Sequence, residues 1–138
     1  MMPTYVVDAC ALLAFLKEEP GADVVENLLI QAELQEITLF INIVNLLEIY
    51  YGLYRDDGPE VAEETLAHIR RLPLTRIDTI SERVFYEAGK LKAAHNISLA
   101  DAFAIAEANV RSAQLVTADH HEFDALVAQH VMQAYWIR

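Results

Sequence analysis

Residues 1–138 are enough for one domain with a hydrophobic core and too few for two ordinary domains, so we predict a single domain. The formal net charge of −11 disfavours nucleic-acid binding through a positive surface field, but it is compatible with a nucleic-acid enzyme whose acidic pocket is filled by metal. No apolar run reaches the roughly 18 residues of a membrane span, no basic segment of the signal-peptide kind precedes the first strand, and the one cysteine, Cys10, excludes an intrachain disulfide, so we predict a cytoplasmic protein.

Strand and helix patterns alternate along the chain. In chain order they predict a strand at 4–8, helices at 9–17 and 22–35, a strand at 37–41, helices at 43–54 and 60–72, a strand at 74–77, helices at 81–95 and 99–110, a strand at 114–117, a helix at 121–128 and a strand at 134–137. This alternation favours a parallel sheet covered by helices on both faces, in which ligands bind beyond the carboxyl ends of the strands.

Two aspartates come at the ends of apolar strands. Asp8 follows Tyr5-Val6-Val7, and Asp119 comes just after Leu115-Val116-Thr117. Because the carboxyl ends of parallel strands lie at one edge of the sheet, both side chains are predicted at the ligand-binding edge. Each aspartate can equally be the N-cap of the next helix, and a capping carboxylate can still bind a metal.

Two further acids belong to helices. Glu48 is the only charged residue between positions 37 and 54, and it shares one helix face with Asn45 and Arg55. That polar line is either a solvated stripe or the wall of a wet cleft. Asp101 lies in Ser98-Leu99-Ala100-Asp101, a capping-box pattern that can by itself explain an acid beside the free N–H groups of a helix start.

The four acids point to a metal if the fold brings them together. Two carboxylates about 4 Å apart repel by about 4 kcal/mol at an effective dielectric of about 20, whereas a whole domain is stable by only about 5–15 kcal/mol. A cluster of Asp8, Glu48, Asp101 and Asp119 therefore needs raised pKa values or bound cations. Oxygen ligands favour Mg²⁺ or Mn²⁺, and two such ions would balance four negative charges.

Four segments resemble the signature segments of the PIN domain and, more narrowly, those of the VapC-type ribonuclease toxins of bacterial toxin–antitoxin pairs. In order they are Tyr5-Val6-Val7-Asp8-Ala9-Cys10-Ala11-Leu12-Leu13, Asn45-Leu46-Leu47-Glu48, Ser98-Leu99-Ala100-Asp101-Ala102-Phe103 and Val116-Thr117-Ala118-Asp119. Each is weak alone, but together they follow the family's order and spacing along the whole chain. The resemblance implies a three-layer α/β/α fold with a five-stranded parallel sheet of order 3-2-1-4-5.

The resemblance also implies metal-dependent hydrolysis of RNA phosphodiester bonds. Asp8, Glu48, Asp101 and Asp119 fall on the family's four acidic positions, so they are the predicted catalytic residues and the predicted ligands of one or two Mg²⁺ or Mn²⁺ ions. Such an ion would lower the pKa of a bound water and neutralise charge on the phosphate. Either Glu48 or Asp101 would accept the proton of that water.

Three residues are predicted to support the metal ligands. Thr117 matches the family's Thr or Ser just before the last acid, and Asn45 matches an Asn found one turn before the glutamate. Asp124, beyond Asp119 in the next helix, is either an outer acid of the site or a solvated side chain. Where relatives are often lysine-rich after the last acid, this chain has His120-His121, which either replace a phosphate contact or lie on the surface.

RNA binding and protein partners complete the prediction. The candidate substrate contacts are Arg55, Lys90, Lys92 and Arg111, each of which can also be an ordinary surface charge. Relatives are typically dimers inhibited by a cognate antitoxin whose tail covers the active cleft, so the resemblance implies a homodimer and an antitoxin partner.

The apolar content also predicts a partner. Hydrophobic residues make up 54% of the chain and the mean hydropathy is +0.20, both high for a small soluble monomer. Tyr50, Tyr51 and Tyr54 lie on the helix of Glu48, where they form either part of the core or a groove or dimer surface. The acidic surface would suit a basic protein partner.

Other functions are compatible with parts of the pattern. A haloacid-dehalogenase-type phosphatase also has Asp after its first strand, but it needs a second Asp two residues later, where this chain has Cys10. A catalytically silent PIN-like module that only binds protein is an alternative, against which the intact set of four acids argues. A PIN nuclease acting on structured DNA or RNA outside a toxin–antitoxin pair is another.

Overall fold

The computed structural model describes residues 2–138. In chain order they form β1 (Thr4–Val7), α1 (Ala9–Leu16), α2 (Ala22–Glu33), β2 (Thr38–Asn42), α3 (Ile43–Asp57), α4 (Pro59–Arg70), β3 (Thr75–Ile77), α5 (Glu82–Ala94), α6 (Leu99–Val110), β4 (Gln114–Thr117), α7 (His120–Ala128) and β5 (Ala134–Trp136). The predicted order of strands and helices is confirmed, and no predicted end is wrong by more than three residues.

All five strands pair in parallel in the order β3-β2-β1-β4-β5. This confirms the predicted fold class and strand order. The chain builds outward from β1 to β2 and β3, and then crosses to β4 on the other side of β1. The sheet therefore has its topological switch point between β1 and β4, where parallel α/β proteins bind ligands.

The central strands β1 and β4 are covered on both faces. Neighbouring residues of a strand point to opposite sides of the sheet, and here each side packs against helices. Val7 and Val116 belong to an apolar cluster that includes residues of α1, α2, α3 and α4. Val6 and Leu115 belong to a second cluster, with residues of α5, α6 and α7. The two clusters make the three layers, and they explain why β1 and β4 read as continuous apolar runs rather than alternating ones.

Caps and glycine decide the helix ends. β1 stops at Val7 because Asp8 is already the N-cap of α1, and α7 begins at His120 because Asp119 is its N-cap. α3 runs three residues beyond its predicted end and stops at Gly58, whose φ of +95° favours glycine. Among the described residues, no helix has the combination of length and apolarity that a membrane crossing requires.

Candidate active site

A cleft of about 740 Å³ opens at the carboxyl edge of the sheet, beside the ends of β1 and β4. The first turns of α1, α6 and α7 and the second turn of α3 surround it. Its lining consists of Asp8, Ala9, Cys10, Leu13, Lys17, Glu19, Glu48, Asn96, Ile97, Ser98, Asp101, Asp119 and Glu122. The fold therefore brings the four predicted acids to one cleft and adds Glu19 and Glu122 to them.

The aspartates of the cleft are held by helix starts. The Asp8 carboxylate accepts a hydrogen bond from the Ala11 N–H at 2.8 Å, and Asp119 accepts one from the Glu122 N–H at 3.1 Å. Both residues thus have the capping role that the sequence allowed, and both still line the cleft. Each cap uses one carboxylate oxygen and leaves the other oxygen for a ligand.

Among the acids of the cleft, Asp8 has the surroundings that most disfavour its ionised form. It is 4% exposed, and burial raises the pKa of its carboxyl to about 7. The Thr117 hydroxyl and the Ala11 N–H act to lower this pKa, whereas the charges of Asp101 and Asp119 raise it further. The residues around Asp8 therefore supply no positive charge that would favour its ionised form.

The other acids of the cleft repel one another as well. Burial and the charge of Asp101 raise the pKa of Glu48. Burial raises the pKa of Asp101, with Asp119 and Glu122 acting in the same direction and the Ser98 hydroxyl opposing them. The cleft consequently concentrates negative charge that a cation would stabilise.

The donor chemistry fits Mg²⁺ or Mn²⁺, because the charged groups are carboxylates and these ions prefer oxygen ligands. Within residues 2–138, however, no three acidic, histidine or cysteine side chains are arranged closely enough to hold a metal ion. Asp8, Asp101 and Asp119 are near enough to shift the pKa of Asp8 without surrounding a common point. Their type and charge therefore fit a hard cation, and side-chain rotation would have to complete the coordination.

Thr117 and Asn45, the predicted supporting residues, are both buried and hydrogen-bond to segments that carry the acids. Thr117 is fully buried, and its Oγ1 accepts a hydrogen bond from the Asp119 N–H at 3.1 Å. Asn45 is 1% exposed and donates from Nδ2 to the Ala100 carbonyl oxygen at 3.1 Å. Asn45 thereby connects α3, which carries Glu48, to the start of α6, and its Oδ1 has no hydrogen-bond partner within residues 2–138.

Asp124, predicted as an outer acid of the site or a solvated side chain, lies beside His120 outside the cleft lining. Its carboxylate lies 2.8 Å from Nδ1 of His120, is 64% exposed, and does not line the cleft. Asp124 comes five residues after Asp119, so on the helix the two side chains point to different faces. His121 is 94% exposed, so the two adjacent histidines have different surroundings.

None of the four predicted substrate cations lines the cleft. Arg55 pairs with Asp56 at 2.9 Å in the exposed last turn of α3. Lys90 and Lys92 lie on α5 beside an apolar groove. Arg111 follows the far end of α6, where ten residues of helix separate it from Asp101 by about 15 Å.

Sequence reasoning missed Lys17, the one lysine or arginine that does line the cleft among the described residues. It directly follows α1, the helix that Asp8 caps. Its position at the end of that helix, before Pro20 and Gly21, was the only signal. The helix spans the wall of the cleft from Asp8 at one end to Lys17 at the other.

Glu107 was missed as well, although it is 1% exposed. Its carboxylate accepts hydrogen bonds from Asn42 Nδ2 at 2.8 Å and from the Arg111 guanidinium at 2.9 Å. The guanidinium also lies over the Phe40 ring, 4.8 Å from its centroid. A single Glu among the alanines of α6 was the signal for a buried acid that needs a partner.

The three tyrosines of α3 were predicted to lie either in the core or on a groove or dimer surface, and they differ in exposure. Tyr50 is partly buried and donates from its hydroxyl to Glu63 at 2.7 Å. Tyr51 and Tyr54 are about half exposed, so for these two the core interpretation is wrong. They leave α3 with an aromatic surface outside the cleft.

Comparison with known proteins gives one family. The family model of the PIN domain matches residues 5–128. The chain is similar to VapBC2 from Rickettsia felis bound to a DNA fragment from the promoter, with 20% identity, 96% of this chain and 97% of that chain covered, and a TM-score of 0.72. It is also similar to VapBC-1 from nontypeable Haemophilus influenzae, with 18% identity, coverage of 97% and 98%, and a TM-score of 0.71.

A third similar structure is VapC20 from Mycobacterium tuberculosis, a sarcin–ricin loop cleaving toxin, with 13% identity, coverage of 95% and 98%, and a TM-score of 0.63. No curated protein matches the chain. At these identities, the similarity to the three solved structures shows a shared fold.

Proposed function

We propose, since the chain belongs to the PIN domain family, that it is a metal-dependent endoribonuclease and the toxin of a bacterial type II toxin–antitoxin pair acting in the cytoplasm. One observation carries the proposal: Asp8, Glu48, Asp101 and Asp119 line a single cleft at the switch point of the sheet. Burial and mutual repulsion raise the pKa of three of these acids, Asp8, Glu48 and Asp101. Such raised values are expected where carboxylates are arranged to bind a cation.

In the proposed mechanism, Asp8, Asp101 and Asp119 would hold Mg²⁺ or Mn²⁺, with Glu48 as a direct or water-linked ligand. When bound, the ion would supply an activated water and neutralise charge on the scissile phosphate. Thr117 and the Ala11 N–H orient the Asp8 carboxylate. Glu48 or Asp101 would accept the proton of the attacking water, since a carboxylate beside the metal is within reach of a metal-bound water.

Lys17 is the proposed phosphate contact, in place of the four cations named from the sequence. Lys17 is part of the cleft lining. The acids around it repel the phosphates of an RNA backbone, and the positive charge of Lys17 counteracts that repulsion. An exposed lysine can reach one phosphate without burying its charge. We therefore assign RNA positioning to Lys17.

The surface of α3 and α4 is the proposed antitoxin site. A groove of about 450 Å³ lies there, lined by Ile43, Val44, Leu46, Leu47, Tyr50, Glu63, Leu66, Arg70 and Arg76. Leu47 is 57% exposed, one residue before Glu48, so an apolar segment in this groove would approach the cleft. Two of the similar structures are described as VapBC proteins, which supports a partner of the antitoxin kind.

The surface of α5 and α6 is the proposed homodimer contact. Phe85, Tyr86 and Leu99 are each more than half exposed and border one apolar groove with Phe103. Large apolar side chains exposed together are typical of protein interfaces. Lys90 and Lys92 lie at the same groove, so their place is at this contact rather than at the RNA.

The decisive test is cleavage of a mixed RNA pool that includes ribosomal RNA, with Mn²⁺, with EDTA, and with the Asp101→Asn variant. The proposal expects cleavage by the wild-type protein with Mn²⁺ only, and none by the variant. Equal cleavage by both proteins, or no difference between Mn²⁺ and EDTA, would remove the metal-dependent nuclease.

The second candidate is a catalytically silent binding module, and the lack of a preformed three-residue metal cluster within residues 2–138 favours it. A thermal-shift titration with Mn²⁺ separates the two. A nuclease site should raise the melting temperature of the wild-type protein and not that of Asp8→Asn, whereas a silent module should show no shift for either.

A further inference from the structure

Residues 136–138 touch both walls of the acidic cleft. The Ile137 N–H donates to the Thr117 carbonyl oxygen at 3.1 Å, which continues the β4–β5 pairing. The Arg138 guanidinium donates to the Pro20 carbonyl oxygen at 2.6 Å. Thr117 lies two residues before Asp119, and Pro20 belongs to the turn between α1 and α2 that follows Lys17 and Glu19.

His120 contacts this segment from the wall that carries Asp119. It is the first residue of α7, next to Asp119. Its ring stacks on Trp136 with centroids 3.8 Å apart and planes 13° apart, and its Nε2 lies 2.8 Å from the Arg138 carbonyl oxygen. Nδ1 lies 2.8 Å from Asp124. A surface histidine with three such contacts has a single orientation, unlike the neighbouring His121.

The turn between α1 and α2 packs against Ile137 without spare room. Gly21 has a φ of +96°, and a Cβ there would lie 2.8 Å from the Ile137 Cγ1 atom. Ile137 is 5% exposed. Contacts at Pro20 and Gly21 thus hold the turn to Ile137 and Arg138, within the segment that His120 contacts through Trp136 and Arg138.

We propose that His120, Trp136 and Arg138 form a clasp that sets the distance between the two walls of the cleft. One wall carries Asp119, and the other carries Lys17 and Glu19. In this proposal His120 is a positioning residue that acts through Asp119 and the clasp without touching the metal or the RNA. The proposal rests on the proposed function for its catalytic meaning, but not for its structural test.

The clasp would fix the position of Asp119 relative to the turn that follows Lys17 and Glu19, and so keep Asp119 oriented for metal binding. Residues that orient metal ligands typically change metal affinity about 10–100-fold when they are removed. Opening the clasp should therefore weaken Mn²⁺ binding through Asp119. It should also loosen the turn before Gly21, although His120 and that turn are far apart in sequence.

The structural test is amide hydrogen exchange on the metal-free protein. We compare His120→Ala with His121→Ala, a matched control because His121 is almost fully exposed. His120→Ala should speed exchange at residues 18–22 as well as at 119–122, and His121→Ala should change neither region. Unchanged exchange at residues 18–22 in His120→Ala would overturn the clasp, even if the variant were less stable.

The functional test is Mn²⁺ affinity by calorimetry, followed by RNA cleavage at saturating Mn²⁺. His120→Ala should bind Mn²⁺ about tenfold more weakly and recover most of kcat when Mn²⁺ is raised. His121→Ala should stay within twofold of wild type. Equal Mn²⁺ affinity in wild type and His120→Ala would show a purely structural contact and reject the positioning role.

Variants of Arg138 test the clasp independently, in case His120→Ala does not fold. Arg138→Ala removes the bond to Pro20, and Arg138→Lys keeps a donor there. Arg138→Ala should reproduce the exchange increase at 18–22, Arg138→Lys should restore part of the protection, and the His120→Ala/Arg138→Ala pair should be less than additive. If wild type binds Mn²⁺ without cutting RNA, the nuclease proposal fails while the exchange and affinity results still decide the clasp.

Discussion

Two buried carboxylates, one in the cleft and one behind it, show how differently the chain treats similar groups. Asp8 is 4% exposed and Glu107 is 1% exposed. Glu107 accepts hydrogen bonds from Asn42 and Arg111, whose guanidinium supplies the opposite charge. Asp8 receives only uncharged donors, and its charged neighbours in the cleft are Asp101 and Asp119.

The difference separates an internal pair from an open site. A buried acid beside an arginine is neutralised by the chain itself, and breaking that pair costs stability. A buried acid beside other acids destabilises the fold when it ionises, and it becomes useful only if something positive arrives from outside. Substitutions at Asp8, Arg111 and Lys17 should therefore have different consequences.

Replacing Asp8 should abolish activity while leaving the fold intact. Asp8→Asn removes the charge of the central acid, so we expect metal-dependent RNA cleavage to fall at least about a thousandfold, or about 4 kcal/mol in activation free energy. The metal-free variant should be no less stable than wild type. Cleavage rates and thermal unfolding measure both effects, with the exposed Asp57→Asn as control. Full activity in Asp8→Asn would remove Asp8 from the site.

The stability of the metal-free protein should depend on pH through Asp8. The pKa of its carboxyl is about 7 in the folded state and 3.8 without the fold, so between these values the folded state binds the extra proton. The contribution of Asp8 to stability is therefore fully present below about pH 4 and is lost as pH rises to about 7, by at most on the order of 4 kcal/mol.

Denaturant unfolding between pH 4 and 8 measures this decline. Asp8→Asn should flatten it, and Mn²⁺ should offset it near pH 7 and above, because the ion binds the ionised form. Parallel curves for wild type and Asp8→Asn would show that Asp8 is not the group responsible.

Removing Arg111 should turn Glu107 into an unpaired acid like Asp8. Arg111→Ala leaves a buried carboxylate without its charged partner, so we expect a loss of about 3 kcal/mol in unfolding free energy. Activity below the melting temperature should stay within about twofold, since Arg111 is remote from the cleft. The Glu107→Gln/Arg111→Ala double variant should recover part of the loss; no recovery would mean that the charge of Glu107 is not the cause.

Removing Lys17 should have the smallest effect. Lys17→Ala takes away one exposed phosphate contact, so we expect KM to rise about fivefold with kcat almost unchanged and the salt dependence of RNA binding to weaken by about one unit of slope. Arg71→Ala is the charge-matched control, because Arg71 precedes β3 at the opposite edge of the sheet. An equal change in both variants would indicate a general loss of positive charge.

Three of the four acids were predictable from a local signal, whereas Glu48 was assigned to the site through the resemblance to the PIN domain. Asp8 and Asp119 come where apolar strands end, and Asp101 lies in a helix cap, so chain position alone put them at helix starts beside the sheet edge. The cations were not predictable, because long side chains on exposed helix faces carry no such signal. Arg111 therefore looked the same as Lys17 until packing showed one beside Glu107 and the other at the cleft.

The order of strands and helices, the parallel sheet and the positions of Asp8, Asp101 and Asp119 at helix starts could be read from the sequence, since periodicity and caps act over a few neighbouring residues. Which side chains meet followed from the packing of the elements: Arg111 with Glu107, His120 rather than His121 with Trp136, and Lys17 with the acids. These contacts join elements that are far apart in the chain. The relative orientation of such elements is set by the packing of their apolar faces, and a local sequence pattern does not specify it.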